Sequence, residues 1–89
     1  MANQYNSQNL TAAVTEASVA VNVESVLFIA NDSLVGDLYL NFEATMAVTG
    51  DKIVLKPGEI LKGIDLQVST LYYKCSSGTV PFRFVGLNR

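Results

Sequence analysis

The stretch GDLYLNFEATMAV, residues 36–48, carries an apolar residue at every second position from 38 to 48. Leu38, Leu40 and Phe42 fall on one side of an extended chain, and Asp37, Tyr39, Asn41 and Glu43 on the other. Ala44, Met46 and Val48 keep the first parity. Side chains alternate between the two faces of a strand, so a period of two specifies a half-buried β-strand. A helical face would need apolar spacings of three and four.

The same period recurs on both sides of this stretch. Upstream, Val19, Val21 and Val23 alternate with Ala20 and Asn22. Residues 26–29, VLFI, are apolar on both faces, which suits a central strand or one covered by a partner. ANDS, residues 30–33, is a turn cluster. Downstream, TGD at 49–51 closes the strand with a tight turn, and residues 53–55 form a short strand. In LKPGEIL, residues 55–61, proline fixes φ near −65° and glycine tolerates positive φ, so Pro57 and Gly58 suit the central positions of a type II turn. Lys56 and Glu59 then flank a corner in solvent. Ile60 and Leu61 resume apolar character until Gly63. Ile64, Leu66 and Val68 alternate with Asp65, Gln67 and Ser69; the parity then flips at residues 69–70, and Leu71, Tyr73 and Cys75 become the inward set. A slip of one residue inside a strand region marks a bulge or a corner. SSG at 76–78 is a hairpin turn, and Val80, Phe82 and Phe84 belong to a last strand that Pro81 places at an edge or at its entry.

The first nine residues are rich in Asn and Gln and hold one aromatic, Tyr5. Residues 1–17 therefore read as a polar N-terminal arm, with a short helix possible over 10–17, ahead of one domain at 18–89. Six or seven short strands with regularly spaced turns make the fold class all-β: a small antiparallel β-sandwich or barrel, jelly-roll-like.

A chain of 89 residues is a single domain that buries only about 60–65% of its unfolded surface. Domains this small need a staple or a partner. One cysteine excludes an internal disulfide, and with no histidine a zinc site of the usual kind is excluded as well. That leaves oligomerisation. The N terminus has neither basic residues nor an apolar core, so it does not read as a signal peptide, and no run approaches 18 apolar residues. The expectation is a protein made and assembled in a cytoplasm, away from membranes. A formal net charge of −2 argues against wrapping nucleic acid. The charge is lopsided: residues 1–51 hold six acids and no base, and Lys52, Lys56, Lys62, Lys74, Arg83 and Arg89 all follow, against Glu59 and Asp65. Either the two halves neutralise each other within one fold, or an acidic edge of one subunit meets a basic edge of the next.

Reactive chemistry is sparse. The commonest general base is missing, and Cys75, at an inward parity, reads as a small buried hydrophobe. The eight carboxylates are scattered singly, no glycine-rich loop precedes a helix, and NDS at 31–33 is too sparse for calcium. No catalytic, cofactor or metal residue is assigned. Tyr39 and Tyr72 have outward parity and could anchor an interface or stack on a sugar; tyrosine is also simply a good strand residue. Lys62, Lys74 and Arg83 could gather into a basic strip or serve separately to protect sheet edges. The interface candidates are Tyr5, Leu10, Phe28, Tyr39, Tyr72 and Arg83.

The order VGDLYL (35–40), LKPGEIL (55–61), IDLQVSTLYYKC (64–75), then a Ser/Gly turn and a final strand, resembles the small virion proteins of tailed bacteriophages and gene transfer agents. Those proteins sit on the head surface or at the base of head spikes and fibres. The resemblance covers residues 20–87 and rests on turn residues in a fixed order. The last strand departs from it at Pro81 and Arg83, where that family is plainer and more aliphatic. The resemblance implies a non-enzymatic structural protein that decorates a capsid or forms the base of a head spike or fibre, with other virion proteins as partners. A homo-oligomer, with a trimer favoured, fits the small core. The alternative is a small β-sandwich module that binds carbohydrate or peptide through Tyr39 and Tyr72.

Overall fold

The computed structural model describes residues 4–43 and 52–88. They form eight strands: β1 (Gln4–Ala13), β2 (Ala17–Val23), β3 (Ser25–Asn31), β4 (Leu38–Asn41), β5 (Ile53–Leu55), β6 (Ile60–Ile64), β7 (Val68–Cys75) and β8 (Thr79–Asn88). One sheet has the order β1-β8-β3-β6 and the other β2-β7-β4-β5, with all pairings antiparallel. β1 pairs with β8, β2 with β7, β3 with β6 and β4 with β5. The chain is thus one long hairpin whose tip lies between β4 and β5. It is rolled up so that β3 also meets β8 and β4 meets β7. This is the eight-stranded jelly roll, the all-β sandwich expected from the alternation. Every connection crosses between the sheets except that from β4 to β5.

The inward parities hold where the alternation is strongest. Leu38 and Leu40 of β4, Val21 and Val23 of β2, Leu71 and Cys75 of β7, and Val80, Phe82 and Phe84 of β8 are all buried. Fully burying one such Val, Leu or Phe side chain contributes about 1.5–3 kcal/mol. Tyr73 meets Phe82 across the sandwich, ring edge to ring face, with centroids 5.1 Å apart. The apolar-on-both-faces run at 26–29 lies in β3, which is central, between β8 and β6. The parity slip at residues 69–70 coincides with a shift in register where β2, between Ala20 and Val23, faces β7. Asn22 takes φ 48° there.

Four expectations are corrected. Residues 4–13 are not an arm, nor is any of 10–17 helical: Gln4–Ala13 is a strand of the sheet, in unbroken register with β8. Its outward positions face water and are polar, which hides the strand behind an Asn/Gln-rich composition. SSG at 76–78 is not a hairpin turn, because β7 and β8 belong to different sheets. β8 is central and not an edge strand. Pro81 fits there because its carbonyl accepts from the Asp32 amide just beyond the end of β3, so its missing N–H faces no strand acceptor. Finally, residues 65–67 lie between strands, and Leu66 is exposed. The continuation through Ala44, Met46 and Val48 and the TGD turn fall outside the described residues.

Candidate interaction surface

β3 runs to Asn31, and the loop from Asp32 to Asp37 follows at the end of the sandwich shared with the β1–β2, β5–β6 and β7–β8 connections. Asn31 is buried and uses its whole amide. Nδ2 donates to the Gly36 and Leu55 carbonyls, both at 2.9 Å, and Oδ1 accepts from the Ser33 amide at 2.9 Å. Ser33 Oγ accepts in turn from the Val35 and Gly36 amides. The loop is therefore tied at both ends, and the sequence explains how: Asn and Ser side chains satisfy nearby backbone groups where a ladder stops.

The PGE corner joins the same end. Glu59 N donates to the Lys56 carbonyl, Gly58 has φ 80°, and Glu59 Oε1 accepts from the Lys56 amide at 2.6 Å, the geometry expected of a type II turn. The Gly58 amide donates to the Asn31 carbonyl, and the Asn31 amide to the Glu59 carbonyl, so the corner is stitched to β3.

This framework also holds apolar side chains out in solvent. Leu34 is 92% exposed and Val35 89%. Val14, in the β1–β2 connection, and Ile60, at the start of β6, are exposed at the same end. A shallow depression of about 230 Å³ lies beside them, lined by Ala30, Ser33, Leu34, Gly58, Ile60 and Arg83. The larger hollow, about 290 Å³, lies among Leu40, Phe42, Lys52, Ile53 and Leu66, where the chain borders residues 44–51.

Two ion pairs frame the loop. Arg83 grips Asp32 with two bonds, Nε–Oδ2 at 2.8 Å and an Nη at 3.0 Å from Oδ1. Lys56 Nζ lies 3.1 Å from Asp37 Oδ2. Each carboxylate holds its partner cation's pKa above the ordinary value, first through the hydrogen bond and then through charge. Both pairs join the acidic half of the chain to the basic half, so part of the charge segregation is neutralised within one fold.

The six interface candidates separate. Arg83 lies over Phe28, 5.8 Å from the ring centroid, on the outer face of the β1-β8-β3-β6 sheet. Exposed Tyr5 shares that face, opposite Leu87. Leu10 is half-buried and packs against the core. Tyr39 and Tyr72 lie on the outer face of the other sheet, where Tyr39 faces Lys74 and Tyr72 faces Asn41, leaving the two rings diagonal neighbours. Lys52 Nζ sits 4.3 Å from the Tyr39 ring centroid. No single basic strip forms: Lys62 and Arg83 belong to one sheet and Lys74 to the other. Cys75 is buried, its sulfur 3.5 Å from the Ala12 and Gly78 carbonyl oxygens. Among the described residues no group of three His, Cys, Asp or Glu side chains could hold a metal ion.

Leu34 and Val35 were not among the sequence candidates. Their signal was nevertheless present: NDSLVGD, residues 31–37, places two large apolar residues inside a cluster of turn formers. Compared with protein-family models, with curated proteins and with solved structures, the chain matches none.

Proposed function

We propose that this protein is a non-enzymatic structural subunit of a bacteriophage virion, decorating the capsid or forming the base of a head spike or fibre. It would reach its place from the host cytoplasm, with other virion proteins and further copies of itself as neighbours. The observation that carries this reading is the pinned loop with Leu34 and Val35 at its tip. Hydrogen bonds from Asn31 and Ser33 fix a conformation that leaves both side chains in water. Apolar side chains held out on a fixed loop mark a contact with another protein. The order of turn motifs across residues 20–87 supports the virion as the setting. The jelly roll is common in viral capsids but also in lectins and cupins, so it supports the reading only by analogy.

The test is to band virions on a density gradient and analyse their proteins by mass spectrometry. The protein is expected in the particle band. Leu34→Ser with Val35→Ser should remove it from particles while the purified variant keeps its melting temperature, since neither side chain contributes to the core. Particles that lack the wild-type protein would overturn the proposal.

The Tyr39–Tyr72 face favours a second reading, a carbohydrate- or peptide-binding module, because two diagonal rings beside Asn41 and Lys74 combine stacking surface with polar groups. Glycan-array binding that is lost in both Tyr39→Ala and Tyr72→Ala would select it.

A further inference from the structure

Among the described residues the outermost strands are β1 and β6 in one sheet and β2 and β5 in the other. Three of these carry devices that discourage pairing with another chain. β6 has five residues, with Lys62 on it and Gly63 at φ 63°. β2 breaks register between Ala20 and Val23 and carries Asn22 at positive φ. β5 has three residues, with Lys52 and Lys56 beside it. Short length, lysines and bulges protect an edge, and an edge without them is a template for a further strand.

β1 has none of these. It runs for ten residues, QYNSQNLTAA, with no charge, proline or glycine. Its register with β8 is unbroken from Gln4 to Ala13, and no described strand pairs with its other edge. In an antiparallel ladder alternate residues turn both N–H and C=O away from the neighbour, so about five residues of β1 offer both groups to the open side.

We propose that the open edge of β1 pairs antiparallel with β1 of a second copy of this chain across a twofold axis. This names a contact surface for the self-association in the function proposed above, but it is a property of the purified chain and is tested without virions. Three features select a second copy. A strand that meets itself brings like charges together wherever it has a charge, and β1 has none. Directly opposed residues must share a face; the outward set is Tyr5, Ser7, Asn9 and Thr11, and the inward set Asn6, Gln8, Leu10 and Ala12. The axis of longest overlap therefore passes through Gln8 or Asn9, pairing residues 4–12 or 5–13. The remaining edge of this sheet, β6, carries the lysine and the glycine, which opposes a head-to-tail β1–β6 chain and favours a closed twofold contact. The trimer expected from the sequence drew on the small core, on the run at 26–29 that is apolar on both faces and on segregated charge. The structure keeps residues 4–13 in their own sheet, and Asp32 and Asp37 pair within the chain.

A contact made by one strand is small against the usual protein interface, so the dimer should form at about 10–100 μM and dissociate on dilution. Sedimentation velocity on the full chain across that range is the measurement. Ser7→Lys with Thr11→Lys adds lysines whose side chains face water in the monomer, and is expected to sediment as monomer throughout with an unchanged melting temperature. Gln67→Lys with Ser69→Lys makes the same change in formal charge, from −2 to 0, away from β1 and should keep the dimer. Wild-type protein that stays monomeric or forms a trimer, or a dimer that survives the β1 lysines, would overturn the proposal. Should those lysines lower the melting temperature, an equimolar mixture of Ser7→Cys and Asn9→Cys keeps the test decisive. It contains a directly opposed pair in either register, so mild oxidation should yield a covalent dimer, and its absence rejects the contact.

Discussion

Gly86 of β8 faces Val23 of β2 across the sandwich. A Cβ built there would lie 2.5–2.9 Å from three side-chain atoms of Val23. Val23 is itself buried and cannot swing into solvent, so the two sheets approach at this point because one residue has no side chain. Gly86→Ala should destabilise the fold by about 1–3 kcal/mol, the usual cost of overpacking a filled core. Val23→Ala in the same chain should recover part of that loss, because it removes two of the three atoms the new methyl would strike, the γ-carbons, and leaves only the β-carbon. Thermal melts of the two single variants and the double variant check this: a double variant that melts at the sum of the two single shifts would show that the residues do not oppose each other. Lys56 gives a different kind of test at the same scale. Asp37 raises its pKa above 10.5, so the folded chain holds the proton more tightly than the unfolded chain. The stability this pair adds is fully present below pH 10.5 and is lost as pH rises through the higher folded value. The difference in melting temperature between wild type and Lys56→Gln should therefore be constant around neutral pH and close in strong alkali. The pair is solvent-exposed, so the difference will be small.

At the scale of single elements, the PGE corner is the sharpest case. Gly58 holds φ 80° with open space where a side chain would go, so a substitution there strains the backbone without any clash. Gly58→Val should cost about 1–3 kcal/mol, because a β-branched residue resists positive φ. A melting temperature equal to wild type would mean that the turn relaxes freely despite its ties to β3. This corner was readable in the sequence because proline and glycine each permit so few conformations. β4, with its buried Leu38 and Leu40, and the inward residues of β8 were readable for a related reason: a strand with one wet and one dry face writes that asymmetry as a period of two. β1 was not readable. Its outward face carries Tyr5, Ser7, Asn9 and Thr11, and of its inward set only Leu10 and Ala12 are apolar, so the alternation is nearly erased and the polar composition imitates a tail. Pro81 misled in the opposite direction, since its cost depends on whether β3 extends far enough to need its N–H, and that is set by Asn31 in a distant part of the chain. The six candidate contact residues shared this limit. Parity placed Tyr39 and Tyr72 outside, but which residues share a sheet depends on the roll, and Leu34 and Val35 stand out only once the loop around them is seen to be fixed.

For the molecule as a whole, the long hairpin has a consequence for its ends. β1 and β8 are the two strands nearest the termini, and their pairing closes the roll. β8 carries Val80, Phe82 and Phe84 into the core, and β1 covers its flank from Thr79 to Asn88 with Ala12 buried and Leu10 packed behind it. Cys75 links the sheets here too, with its thiol against the Ala12 carbonyl. Removing residues 1–13 would strip β8 of one of its two partners along its full length and open the core beside Phe82 and Phe84. A domain of this size has only about 3–5 kcal/mol of stability to lose. Two lost apolar contacts at about 1 kcal/mol each or more, together with a ladder of backbone hydrogen bonds left facing water, are enough to exhaust it. The truncated chain is therefore expected to be unfolded at 25 °C, with no cooperative thermal transition by circular dichroism and no dispersion of its amide proton resonances. An arm that merely docks on neighbours would leave the melting curve of the isolated chain unchanged after the same deletion. A truncated protein that melts with wild-type cooperativity at wild-type temperature would mean that β8 keeps its place without β1 and that the roll closes through β3 alone.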